Sequence, residues 1–67
     1  MKQKIKKNHI LEARARKNLK QSDLAKVMNV TVGTASRWER QTHQPKMAIA
    51  IRLADYFGLD FKKLFEI

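Results

Sequence analysis

The sequence predicts an all-α domain, a bundle of five short helices, two of them joined by a tight turn. Three observations lead there. Apolar residues recur three and four apart instead of alternating, as at Leu24, Ala25 and Met28 and again at Ala35 and Trp38; this spacing places each set on one helical face. Residues that bound helices stand between these sets: Asn18, Asn29 and Gly58 suit the left-handed position after a helix, and Thr31 and Asp60 suit the position before one. Finally, 67 residues without a cysteine allow one domain with a small core and no disulfide framework. At that size, closely packed helices or oligomerisation must supply the stability.

Each element can be justified in turn. Residues 1–7 (MKQKIKK) are too charged to pack, apart from Ile5. They form either a basic arm or a short edge strand around Ile5 that pairs with the C-terminal residues. Asn8 reads as the N-cap of a first helix, Ile10 to Lys17, with Ile10, Ala13 and Arg14 on one face. Asn18 ends it and Leu19 closes the core beneath. A second helix begins near Gln21, with Asp23 in the first turn where negative charge suits the helix dipole. Asn29 ends that helix, Val30 plugs the turn, and Thr31 caps a third helix from Val32 to Arg40. The fourth follows Pro45, from Lys46 to Phe57, with Met47, Ala50, Ile51, Ala54 and Phe57 as its buried stripe. After Gly58, Asp60 caps a last helix, Phe61 to Phe65, whose Leu64 returns to the core. No repeat, low-complexity segment or linker interrupts residues 1–67, which read as a single domain.

Charge narrows the function. Fifteen Lys or Arg face six Asp or Glu, a formal +9. Eight of those bases and only one acid, Glu12, lie in the first twenty residues. Such an excess suits a polyanion, because each neutralised phosphate releases condensed counterions; solubility is the bland alternative. No run is long and apolar enough to cross a membrane, and the basic start lacks the apolar stretch of a signal peptide. A soluble, cytoplasmic protein is the expectation. His9 and His43 stand without a cluster around them, so no metal or other cofactor is expected. No nucleophile with a base, paired carboxylates or phosphate loop argues for an enzyme.

The segment Gln21 to Arg40, QSDLAKVMNVTVGTASRWER, carries most of the information. It describes a helix-turn-helix whose second helix presents small and polar residues outward. Ala25 sits where a crossing helix leaves no room for a larger side chain. The second helix of such a pair can enter the major groove of DNA.

The motifs Arg14, Gln21, Leu24–Ala25, Val30–Thr31, SRWER (Ser36 to Arg40), Pro45, LADYFGL (Leu53 to Leu59) and Leu64 together resemble the Cro and phage-repressor family of helix-turn-helix proteins, the XRE family. The resemblance runs from Ile10 to Leu64 without a gap. It implies a lambda-repressor-like fold that binds double-stranded operator DNA as a two-fold dimer, commonly as a repressor. It also implies that Val32, Gly33, Ser36 and Arg37 reach base edges. Arg37 is the strongest candidate, since a guanidinium can engage guanine O6 and N7 bidentately. Val32 offers only an apolar contact, and Gly33 reads no base by side chain.

Gln21 corresponds to a family glutamine that bonds a phosphate and braces the recognition helix. Thr31 combines capping with a phosphate contact. Lys20, Thr34, Arg40 and Lys46 complete the expected phosphate set. Arg14 and Glu39 match a family ion pair that holds the recognition helix in orientation, and Trp38 reads as core. Two residues depart from the family pattern: Lys20 replaces a Ser or Thr cap, and Gln41 stands where a glycine is customary.

Ile49, Tyr56, Phe61, Phe65 and Ile67 are candidates for a homodimer interface built from the fourth and fifth helices. A two-fold dimer would place its recognition helices in successive major grooves about 34–36 Å apart and seek an inverted repeat. No second domain for a small-molecule effector is apparent. An antitoxin, a controller of a neighbouring gene, or a protein-interaction module on the same fold are the alternatives.

Overall fold

The computed structural model describes residues 4–67. Its elements run β1 (Lys7–Asn8), α1 (Ile10–Arg16), α2 (Gln21–Met28), α3 (Val32–Glu39), α4 (Met47–Phe57), α5 (Phe61–Leu64) and β2 (Phe65–Glu66). The five helices stand where the sequence predicts them, each boundary within about a residue. The domain measures 34 × 22 × 18 Å.

The two strands pair antiparallel, Lys7 opposite Glu66 and Asn8 opposite Phe65. Lys6 N–H donates to the Glu66 carbonyl at 2.7 Å, and His9 N–H to the Leu64 carbonyl at 2.8 Å. An N-terminal strand against the C-terminal residues therefore exists, but two residues beyond Ile5, which packs against the core instead. The arm expected over residues 1–7 lies partly outside the described residues.

Local chemistry explains most helix ends. Asn18, Asn29 and Gly58 all take the left-handed conformation, at φ 56°, 59° and 65°. Thr31 caps α3 by accepting a hydrogen bond from Thr34 N–H at 3.1 Å. Lys20, which cannot accept such a bond, is compensated by Asp23, whose carboxylate accepts from Lys20 N–H at 3.0 Å. Two expected caps differ. The N-cap of α1 is His9, not Asn8, although the Asn8 carbonyl oxygen Oδ1 still accepts from Ile10 N–H at 3.1 Å. Asp60 occupies the cap position of α5 but makes no side-chain cap bond.

The core gathers Ile10 and Ala13 of α1, Leu24, Ala25 and Met28 of α2, Ala35 and Trp38 of α3, four residues of α4, and Leu64 and Phe65. Those four, Ala50, Leu53, Ala54 and Phe57, correct the expected stripe. Leu53 is fully buried, whereas Ile51 is 56% exposed and Met47 also faces solvent. Two apolar stripes overlap on this helix, sharing Ala50, Ala54 and Phe57, so periodicity alone cannot choose between them. Phe65, expected at a dimer interface, is only 1% exposed. Its strand turns it inward, where its ring lies 4.9 Å from that of Phe61.

His9 fastens the two ends of the chain. Its Nδ1 lies 3.2 Å from Glu12 and its Nε2 2.9 Å from Glu66. Both contacts are hydrogen bonds to carboxylates only when both ring nitrogens carry protons. The Glu12 bond, then the Glu66 bond, raise the His9 pKa above its ordinary value. Glu12 is lowered, first by a bond from its own backbone and then by His9.

The signs follow from linkage. The His9 contribution is complete below the ordinary histidine value of about 6.5 and is lost as pH rises through the higher folded-state value. The Glu12 contribution is lost at the other end, as pH falls through its lowered value. Melting temperature should therefore fall from mildly acidic to mildly alkaline pH, and His9→Ala should flatten that part of the profile. An identical profile in the variant would remove His9 as its cause.

Candidate nucleic-acid interface

The α2–turn–α3 unit is fixed from within. Ala25, 2% exposed, lets α3 approach α2 closely. At the turn, Val30 N–H donates to the Ala25 carbonyl at 2.9 Å, so the left-handed Asn29 leads straight from one helix into the next. The buried side of α3 is Ala35 and Trp38. Helical geometry then fixes what points outward: Val32, Gly33, Ser36 and Arg37 share the opposite side. Val32, Gly33 and Arg37 are exposed and Ser36 is half-buried. A β-carbon added to Gly33 would come no closer than 3.8 Å to a neighbour, the Thr31 hydroxyl. The fold therefore does not require glycine here, and the position is open toward whatever approaches α3.

A charged brace holds the C-terminal end of this helix. Arg14 of α1 meets Glu39 with Nε at 2.5 Å and Nη2 at 3.0 Å, a bidentate pair, while Nη1 donates to the Leu19 carbonyl at 2.8 Å. The Glu39 side chain is 5% exposed and that of Arg14 17%. Gln21 adds a third donor, its Nε2 lying 3.1 Å from Glu39. Glu39 raises the pKa of the guanidinium further by bonding it. Residues from α1 and the start of α2 thus converge on one carboxylate and set the direction of α3. This arrangement leaves Glu39 facing inward, so it adds no negative charge to the outer face.

The loop after α3 folds back on the helix. The Arg37 carbonyl accepts from Thr42 N–H at 3.0 Å and from the Thr42 hydroxyl at 3.1 Å. A surface groove of about 320 Å³ separates α3 from this loop and α4, lined by Val30, Thr34, Arg37, Trp38, His43, Gln44, Pro45, Lys46 and Ile49. It unites three sequence-predicted contacts, Thr34, Arg37 and Lys46. Lys20, Thr31 and Arg40 are exposed but lie outside the groove, and Gln21 is half-buried against Glu39.

Sequence reading missed a cluster of amides beneath the loop. Gln41 does occupy glycine's conformation, at φ 63°, and its side chain turns inward onto β1. Gln41 Oε1 accepts from Asn8 N–H at 3.1 Å and its Nε2 donates to the Asn8 carbonyl at 2.9 Å. The Asn8 side chain donates to the Trp38 carbonyl at 2.8 Å and to Gln44 at 2.6 Å, and Gln44 donates to Gln41 at 3.0 Å. Asn8, 1% exposed, is the buried polar residue among the described residues, and no buried side-chain nitrogen or oxygen is left without a partner. The available signal was the non-glycine residue at a position that needs positive φ.

The comparisons with known proteins agree with this geometry. A family model for helix-turn-helix proteins matches residues 10–64, so the chain belongs to the helix-turn-helix family, of the Cro and phage-repressor (XRE) type. It is also similar to an uncharacterized HTH-type transcriptional regulator of Methanocaldococcus jannaschii, 34% identical over 59 residues, covering 88% of this chain and 89% of that protein. No helix among the described residues is long and apolar enough to cross a membrane.

Proposed function

We propose that this protein is a sequence-specific DNA-binding transcriptional regulator, acting as a repressor that inserts α3 into the major groove of an inverted-repeat operator as a homodimer. One observation carries the reading. The outer face of α3, with Val32, Gly33, Ser36 and Arg37, is open to solvent on a helix whose inner face and C-terminal end are fixed by Trp38 and the Arg14–Glu39–Gln21 brace. A small apolar contact at Val32, close backbone approach at Gly33 and a guanidinium at Arg37 suit base edges. Lys20, Gln21, Thr31, Thr34, Arg40 and Lys46 surround that face and supply phosphate contacts, which position without specifying.

The name of the Methanocaldococcus jannaschii relative supports regulation of transcription, and the net charge of +9 supports a polyanionic partner. Ile49, Tyr56 and Phe61 are partly buried against the core and Ile67 is exposed. With Phe65 withdrawn into the core, these four remain the surface for a second copy.

Binding of the chain to the DNA upstream of its own gene, across a salt series, tests the reading. Operator affinity should exceed that for random duplex, and both should weaken steeply with salt. Arg37→Ala should cost about 1–3 kcal/mol on the operator and much less on random DNA. Equal losses on both duplexes would assign Arg37 to phosphate.

A further inference from the structure

The strand β1 and the basic residues before it are held against the α3–α4 loop by side chains that the helix-turn-helix itself does not need. Gln41 takes a backbone conformation that a non-glycine residue adopts only at a cost. Its amide then bonds both the N–H and the C=O of Asn8, as a neighbouring strand would. Asn8 returns the contact through the Trp38 carbonyl and Gln44.

The result is a second surface groove, about 270 Å³, lined by Lys4, Ile5, Gln44, Pro45, Lys46 and Met47. It contains two lysines and no carboxylate. Gln44, Pro45 and Lys46 also line the groove beside α3. The cations therefore form one continuous strip, from Arg37 through Lys46 to Lys4. Bringing like charges together without an acid is unfavourable until an extended anion covers them, and a phosphate backbone presents charge along such a line.

Resting on the DNA-binding reading above, we propose that Asn8, Gln41 and Gln44 are positioning residues. They set the basic segment Lys4–Lys7 beside the loop, so that Lys4 and Lys46 contact the DNA backbone together, flanking the recognition helix. Lys4 adds a phosphate contact outside the helix-turn-helix, and the amide clamp fixes where it falls.

The test uses the full chain and a mixed-sequence duplex, because phosphate contacts are independent of sequence. Affinity is followed by fluorescence anisotropy over a salt series. Lys4→Ala should lower the slope of log affinity against log salt by about one. Gln41→Gly suits the positive φ and removes only the amide. It should reproduce that loss of slope while its circular dichroism remains helical, and adding Lys4→Ala to it should change nothing further. Gln44→Ala provides a second variant with the same expectation.

A purely structural clamp would lower the melting temperature and leave the slope intact, which would overturn the proposal. So would an unchanged slope in Lys4→Ala, or full additivity of Lys4→Ala with Gln41→Gly. A parent chain that shows no salt-dependent binding at all would overturn the DNA-binding reading itself. Normal parent binding with an unaltered Lys4→Ala slope would remove only the clamp.

Discussion

Arg14→Ala is expected to unfold most of the protein under conditions where the parent chain is folded. The substitution leaves Glu39, 5% exposed at its side chain, with Gln21 as its remaining side-chain donor. Removing one partner of a buried ion pair costs about 3–5 kcal/mol, chiefly because the other charge stays buried and uncompensated. The whole stability of a chain this size is roughly 3–10 kcal/mol, at ~0.05–0.15 kcal/mol per residue, so the loss consumes from about a third to all of it. Arg14→Lys should also be poorly tolerated, since an ammonium cannot reproduce the bidentate fork and the bond to the Leu19 carbonyl. Replacing both partners with leucine should recover much of the loss, although the Leu19 carbonyl would still lack its donor. Thermal melts of the four proteins decide the matter. A melting temperature for Arg14→Ala within a few degrees of the parent would show that the pair is effectively solvated.

Trp38→Ala should rank beside it. Trp38 is 3% exposed and joins α3 to the core, and removing a buried aromatic of this kind costs about 3–5 kcal/mol through lost transfer energy and a residual cavity. Its carbonyl also receives the Asn8 amide, so a shift of the helix end disturbs β1 as well. Trp38→Phe should cost considerably less, as most of the apolar volume is retained. The effects on function should separate. At temperatures where Trp38→Ala is still folded, salt-dependent affinity for random duplex should persist, because the surface cations remain. Discrimination of operator from random DNA should fall, because α3 is no longer held at a fixed angle. Loss of both in equal measure in a folded variant would argue against an orienting role for Trp38.

The parts of this structure that were legible in the sequence are those decided locally. Thr31 before α3, and Asn18, Asn29 and Gly58 after their helices, follow from backbone preferences within a single turn. Leu24, Ala25, Met28, Ala35 and Trp38 carry one unambiguous helical face each, so α2 and α3 were placed with the correct side inward. On α4 the apolar residues are too numerous for periodicity to choose a face, and only packing against the rest of the bundle selects Leu53 over Ile51. Phe65 read as a surface residue because the terminal strand pair was one of two alternatives for residues 1–7 and carried no register, so nothing local showed which of the last residues turns inward. The clamp of Asn8 with Gln41 and Gln44 spans more than thirty residues and leaves no periodic trace. Gln41 marked it only as a side chain where glycine was expected. For the outer face of α3, the sequence supplied the residues, and folding supplied their exposure and the brace behind them.

The central claim is that the outer face of α3 meets a DNA duplex. Titrating the isotopically labelled chain with an operator duplex while following its backbone amides tests this most directly. The largest changes should fall on Thr31 to Arg37, with Gln21 and Lys46 alongside, and the outer residues of α5 should stay unmoved. Changes concentrated on α1 or α5, or none at all at saturating duplex, would contradict it.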